Sequence, residues 1–381
     1  MSMLSAPLRA SILKPRFAYT AFKNCLHIIV KMSSGALAQL VAKGQQDKHI
    51  TGDPEITFYN TRYKKHSNFS MFTHSQTFLQ NPMGGNFSTV RIQKMGDLLS
   101  YVHIVADDPD DGSQLISDWR TIIDRVELYV GGQLIDSQDS EFSEGIAIDL
   151  FANTYSKTYP ASLHGGVGSQ SYFYPLRFFF CESWQNCLPL VALQYHDVEL
   201  KIYWQTDLPE HTFAIEACFI LLDEEERNFI ASSKNDMLIF QVQKNEPNNQ
   251  KIQDLVFNHP VKYIASSNVI ADTNNTLVSA INKVKLQING TDLIDFKRSV
   301  PYFTSIPCYY HSDFSASNTE QMFFYPFCLS AGKFQPTGSL NFSRIDSCKI
   351  HCTENINCPI YAVNYNILRI QNGMGGTLYS D

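Results

Sequence analysis

The chain has 381 residues and a formal net charge of -7, long enough for two domains with sizeable cores and without the basic surplus that a nucleic-acid partner calls for. Aromatic residues are plentiful, 26 Phe and 19 Tyr against 3 Trp, and they lean the composition toward strands. Nine cysteines spread over so long a chain are unlike the dense framework of a small secreted domain, and no apolar run approaches the length of a membrane span. The odd cysteine count leaves at least one thiol outside any intrachain bridge, so buried thiols in a reducing compartment are expected.

Residues 1–31 carry Arg9, Lys14, Arg16, Lys23 and Lys31 and no acid. An organelle-targeting peptide can have this composition. The stretch 26–30 is short for a secretory core, so the expectation is an upstream start before Met32, or a basic arm that packs on a neighbour. Residues 35–42 form a helix candidate, with Leu37, Leu40 and Val41 on one face. The turn Thr51-Gly52-Asp53-Pro54 follows. Strands are expected at 56–59, 69–78, 87–92 and 98–105. The acidic run 107–112 lacks the EF-hand pattern and its closing Glu, and reads as a solvated loop rather than a calcium site.

The stretch 125–136 alternates apolar and polar residues on both sides of Gly131-Gly132, the pattern of a β-hairpin whose turn needs positive φ. A helix over 139–155 is predicted next, with Ile146, Leu150 and Phe151 on one side, then strands at 176–181, 190–204 and 213–222. Residues 221–229 break the pattern as a charged helix or linker. Their consecutive acids serve a helix start and solubility better than they serve acid–base catalysis. In the second half, strands are expected at 237–243, 252–257, 261–264, 277–281, 323–329, 339–343, 349–352 and 360–370, and a flexible turn at 371–376. Between them lies a second hairpin, 283–295, turning on Asn289-Gly290 with one extra residue in its second arm.

The halves echo one another. Each has the hairpin, then Tyr-Pro (Tyr174-Pro175 and Tyr325-Pro326), then a further proline, then an alternating strand (197–202 and 347–352). One β domain present twice is the economical explanation. The expected organisation is 1–50 as an extension with a short helix, 51–222 as the first β domain, 223–236 as a linker and 237–381 as the second. Many short strands with helix confined to connections suit antiparallel sandwiches or jelly rolls.

No catalytic, cofactor-binding or metal-ligating set emerges. The eleven histidines are scattered, without the His-x-His pair of a cupin-like metal site, and no nucleophile elbow, phosphate loop or zincin motif is present. Cys348, Cys352 and Cys358, with His351 and Cys328 near them, lack a Cys-x2-Cys knuckle, so buried thiols are preferred to zinc. Sequons occur at Asn68, Asn86, Asn274, Asn289 and Asn341; Asn289 is better explained as the turn residue. Phe178, Phe180, Tyr203, Phe219, Phe323 and Phe327 are core candidates. The loops 153–172 and 303–321, the second with Tyr309-Tyr310-His311, are candidates for lateral contacts.

Several stretches resemble a known family in the family's own order. They are the start at Met32 with residues 50–58 (ITGDPEITF), 63–69 (YKKHSNF), 188–198 (LPLVALQYHDV), 335–346 (QPTGSLNFSRID) and 361–369 (YAVNYNILR). They are similar to the major capsid proteins of large icosahedral double-stranded DNA viruses of eukaryotes, such as chloroviruses, iridoviruses and mimivirus-like viruses. The resemblance implies an all-β double jelly roll, two tandem eight-stranded antiparallel sandwiches with short helices in the connections. It implies no enzyme activity and no cofactor. It also implies a homotrimer whose six jelly rolls make a pseudo-hexagonal capsomer, tiling an icosahedral virion shell assembled in the host cytoplasm. Partners would be neighbouring capsomers, minor capsid proteins and the inner viral membrane or its proteins, without direct nucleic acid. The chain is shorter than most such proteins, so reduced surface loops are expected. The competing class is a carbohydrate-binding sandwich on a virion surface, which exposed aromatics would mark.

Overall fold

The computed structural model describes residues 34–61, 63–107, 116, 118–151, 172–267, 275–312 and 322–379. The chain divides into two units, Met1–Lys65 and His66–Asp381. In the first, the expected helix forms over Ser34–Val41 and a single turn over Lys48–Thr51. Residues 56–59, read as a strand, are instead exposed irregular chain with a turn at Phe58-Tyr59. Alternation predicts a strand only where a partner strand exists to pair with it, and the described residues supply none here.

The second unit is built from four antiparallel sheets. From its first half come β1 (Phe69–Gln76), β2 (Phe87–Arg91), β3 (Leu98–Asp107), β4 (Ile123–Val130), β5 (Gln133–Asp139), β6 (Phe173–Pro175), β7 (Leu188–Pro189), β8 (Val198–Trp204) and β9 (Thr212–Leu222). They pair in the orders β1-β9-β3-β6, with β7 added on β3, and β2-β8-β4-β5. The helix Glu224–Ser232 then leads to β10 (Asn235–Asn245), β11 (Ile252–Asp254), β12 (Pro260–Ser267), β13 (Lys283–Ile288), β14 (Thr291–Arg298), β15 (Met322–Pro326), β16 (Leu340–Asn341), β17 (Cys348–Cys352), β18 (Ile360–Gln371) and β19 (Met374–Thr377). These pair as β10-β18-β12-β15, with β16 on β12 and β19 on β18, and as β11-β17-β13-β14. Setting aside the short β7, β16 and β19, each half shows one plan: first, eighth, third and sixth strands in one sheet, second, seventh, fourth and fifth in the other. That is the jelly-roll order, present twice.

Both hairpins form as the sequence predicts. Gly131 and Gly132 have φ of 58° and 81°, Asn289 and Gly290 of 47° and 76°, the pair of positive angles that a two-residue turn between right-twisted strands requires. The extra residue of the second hairpin is absorbed by register shifts around Leu286.

Each sandwich has its own core. Val126, Leu128, Leu200, Ile202, Ile215 and Phe219 are central to the first; Val261, Ile264, Val284, Leu286, Phe323 and Ile350 to the second. Of the predicted core aromatics, Phe178, Phe180, Phe219 and Phe323 are buried. Tyr203 and Phe327 are only half-buried, and Tyr203 lies outside the core, under the Arg125 guanidinium at 3.9 Å.

Three further strand expectations fail in whole or in part for identifiable reasons. In 176–181, Phe178, Phe179 and Phe180 are all buried, and Phe179–Glu182 is a helical turn; a short apolar run buried on every side has no period to read. Of 190–204 only Val198–Trp204 is strand, because Leu190–Ala192 turns as a 3-10 helix beneath the sheet. Residues 277–281 give way to a 3-10 turn, Thr276–Val278, capped by Asn275 Oδ1 accepting from Leu277 N at 2.8 Å. The predicted flexible tail is a third hairpin, turning at Asn372-Gly373 (φ 55° and 79°) and adding β19 to β18. The predicted helix 139–155 is two short pieces, Ser140–Gly145 and Ala147–Leu150; residues 152–155 lie outside the described residues.

Candidate functional site

No described set of three His, Cys, Asp or Glu side chains is placed to hold a metal. The features that distinguish this molecule are the faces that its two sandwiches present sideways, and one such pair of faces meets inside the chain.

That junction starts at β5. Leaving the first hairpin through Leu134-Ile135-Asp136, the strand ends at Asp139, whose Oδ1 accepts from Phe142 N at 3.0 Å and caps the following helix. The cap aims Phe142, Ile146, Leu150 and Phe151 at the outer face of the sheet β10-β18-β12-β15. There they form a continuous apolar cluster with Phe240, Tyr263, Phe324, Tyr361, Val363 and Tyr365. Phe142 stands edge-on to Phe151 (6.0 Å between centroids) and tilted to Tyr361 (5.7 Å), and Phe151 is edge-on to Phe240 (5.7 Å). With its inner face already in the second core, β18 is buried on both sides over most of its length, Asn364 and Asn366 included. Ile239, Leu368 and Ile370 also extend into the first sandwich's core.

Polar groups set the register of this contact. Strand β10 is an edge strand, with backbone groups left over on its free side. Asp136 Oδ1 accepts the Val242 N–H at 2.9 Å while its Oδ2 takes Gln138 Nε2 at 2.7 Å, and Gln241 Nε2 donates to the Ile135 carbonyl at 2.5 Å. Burial pushes the Asp136 carboxyl up to about 7. Beside it, Tyr361 Oη lies 2.7 Å from Asp139 Oδ2 and 3.0 Å from Glu141 Oε2. One hydroxyl proton serves one carboxylate at a time, and Glu141 is raised by burial and by the charge of Asp139. Lys244 Nζ closes the group at 3.0 Å from Asp139. The cleft above, about 370 Å³, is lined by Arg120, Arg125, Asp139, Glu141, Lys244 and Tyr361. A second seam joins Tyr195 N to the Gly373 carbonyl (2.9 Å) and Gln133 Nε2 to Thr377 Oγ1 (2.6 Å). It depends on the β19 hairpin that sequence reasoning missed; Asn372-Gly373 between alternating residues was the available signal.

The cysteines singled out in the sequence fall into different clusters, Cys348 and Cys352 in the second core and Cys328 in the junction between the sandwiches. Cys348 and Cys352 point into the second core beside Val284 and Ile350, where burial pushes their thiols up to about 11 and about 12. Of the eight cysteines among the described residues, all but Cys181 are buried. Asn289 is the turn residue expected, and its Oδ1 accepts from Asp346 N and Ser347 N, both at 3.0 Å. Asn68, Asn86 and Asn341 are exposed; Asn274, the acidic run 108–112 and the loop 153–171 lie outside the described residues. Of the loop 303–321, residues 303–312 are described: Ser305–His311 is helical, with Tyr309 and Tyr310 exposed and stacked edge to face at 5.0 Å.

Comparison with known proteins agrees with this architecture. Residues 57–235 match the family model for the major capsid protein N-terminus, and residues 226–376 that for the large eukaryotic DNA virus major capsid protein. The chain is 32% identical to the major capsid protein of Pyramimonas orientalis virus and 27% identical to that of Paramecium bursaria Chlorella virus 1, covering 91% of this chain and the whole of each relative. Among solved structures it is similar to the VP54 protein of PBCV-1 (TM-score 0.71, 25% identity, 85% of this chain and 100% of that one). The Faustovirus major capsid protein shares the fold at 12% identity (TM-score 0.64, 88% of this chain and 96% of that one). With the jelly-roll order present twice and sequence similarity running through both halves, the chain belongs to the major capsid protein family of large eukaryotic DNA viruses and is a double jelly-roll structural protein of the viral capsid.

Proposed function

We propose that the chain works as a homotrimer whose six sandwiches make a pseudo-hexagonal capsomer, and that such capsomers tile an icosahedral virion shell together with minor capsid proteins over an inner membrane. In this reading 51–222 and 237–381 are the two rolls, joined by 223–236, assembly takes place in the host cytoplasm, and the chain carries out no catalysis. The observation that supports it best is the duplication: two sandwiches of one strand order are fixed side by side, and each offers its flank rather than a reactive pocket. A structural unit needs rigidity and large complementary faces, and obligate interfaces are large and apolar. The mass of the purified protein in solution tests the reading. Three times the 43.3 kDa chain is expected, and a particle of one chain overturns the capsomer.

A further inference from the structure

The join between the two sandwiches holds more carboxyls than its cations can serve. Residues 136–149 run along it and bring five: Asp136, Asp139, Glu141, Glu144 and Asp149. The cations that face them are already engaged. Arg120 holds Asp118 with two nitrogens, at 2.9 and 2.7 Å. Arg125 donates to Glu127 at 3.1 Å and stands 3.8 Å from Asp124, and Arg177 Nη1 lies 3.5 Å from Glu182 Oε1. From the second sandwich, Lys244 Nζ sits 3.0 Å from both Asp139 and Glu246, and Lys262 Nζ donates to the Lys333 carbonyl at 2.9 Å.

Two of the five carboxyls are well provided with donors. Asp136 accepts from Ser137 N, Val242 N and Gln138 Nε2; Asp139 accepts from Phe142 N and pairs with Lys244. The other three are not. Glu141 shares the single Tyr361 hydroxyl with Asp139. Glu144 is buried beside the Tyr174 hydroxyl, and its Oε2 has no partner among the described residues. Asp149 is half-buried with the Cys308 thiol as its neighbour, and no hydrogen bond reaches its carboxyl among the described residues. A buried carboxyl that lacks donors and a counter-charge is more stable as the neutral acid. All three stand on the helices Ser140–Gly145 and Ala147–Leu150, whose apolar side grips the second sandwich through Phe142, Ala147 and Leu150.

We propose that this join is held by protons: with Glu141, Glu144 and Asp149 neutral the two helices stay seated on the outer face of β10-β18-β12-β15, and ionisation of the three lifts them off and frees the sandwiches from one another. The device belongs to the single chain and does not rest on the homotrimer. Its sign follows from burial, which raises Glu144 to about 7, Asp149 to about 6, and Glu141 above the ordinary carboxyl value with the charge of Asp139 adding to it. Groups raised in this way stabilise the fold fully below their unfolded values near 4, and that contribution is lost as pH rises through about 6 to 7. The join is tight in mildly acidic surroundings and loosens in alkaline ones.

Hydrogen exchange of the full chain, read by mass spectrometry and corrected for the intrinsic pH dependence of amide exchange, tests this. The amides of Ile146, Leu150 and Phe151 are bonded within the two helices, which are too short to persist off the sheet, and that of Val242 is bonded to Asp136. Their protection is expected to fall about tenfold or more between about pH 6 and pH 8.5, while β4 and β8 in the middle of the first sandwich stay unexchanged over the same times. In the triple variant Glu141→Gln, Glu144→Gln, Asp149→Asn, which keeps the shape of the neutral acids, the fall is expected to shrink to less than about threefold. Glu144→Gln alone should remove the larger part of it, and decides the matter if the triple variant does not fold. The inference is wrong if protection at the join is the same at both pH values, if β4 and β8 exchange together with it, or if the variants keep the full fall.

Discussion

Phe142→Ala is the sharpest probe of how the two rolls are held together. Phe142 is fully buried in the cluster between the sandwiches, against Phe151 of its own roll and Tyr361 of the other. Truncating a buried Phe costs about 3–5 kcal/mol, the lost transfer energy plus the cavity left behind. Each lost aromatic contact is part of that sum, at roughly 0.5–1.5 kcal/mol. All three tryptophans, Trp119, Trp184 and Trp204, belong to the first roll, so tryptophan fluorescence reports that roll alone, whereas far-UV circular dichroism reports both. In urea, the two signals of the unmodified chain are expected to move together, since His66–Asp381 is one compact unit. In Phe142→Ala the midpoint should fall by the equivalent of about 3–5 kcal/mol and the two curves should separate, because the lost contacts are those that couple the rolls. Curves that stay superimposed with a loss under about 1 kcal/mol would refute the view that this helix couples the sandwiches.

Other expectations follow from single groups. Glu144 is buried with Oε2 unpartnered, and burial raises its carboxyl to about 7 in the presence of Arg177, Asp118 and Arg120. A raised carboxyl favours the protonated fold: its contribution is complete below the unfolded value near 4 and is lost as pH rises through about 7. Glu144→Gln should therefore flatten the fall of the urea midpoint between about pH 4 and 7, and an unchanged slope would count against the assignment. Asn289→Ala replaces a residue at φ 47° and removes the acceptor for Asp346 and Ser347, for a loss of about 1–3 kcal/mol in urea; Asn289→Gly, which keeps the backbone freedom, should lose less. Mass spectrometry after a thiol reagent should find Cys308, Cys348 and Cys352 unlabelled in the native protein and labelled once it is unfolded, since burial holds all three thiols above their ordinary value.

Local chemistry made much of the fold readable from the sequence. Gly131-Gly132 and Asn289-Gly290 specify their turns by backbone freedom alone, and alternation on either side specifies half-buried strands, so both hairpins and the duplication around them were visible before any coordinates. The second arms of the two hairpins even share the triplet Leu-Ile-Asp, at 134–136 and 293–295. That Asp136 lies buried on a foreign strand edge while Asp295 faces water depends on which flank finds a partner, and no window of residues contains that fact. For the same reason the run at Phe178-Phe179-Phe180 gave no period, and the tail at 371–376 passed for a flexible turn until β18 supplied its partner. Short-range backbone preference and side-chain periodicity are properties of a segment. Which faces of two equivalent sandwiches are covered is a property of their packing, decided by contacts between residues more than a hundred positions apart, such as Asp136 with Val242 and Asp139 with Tyr361.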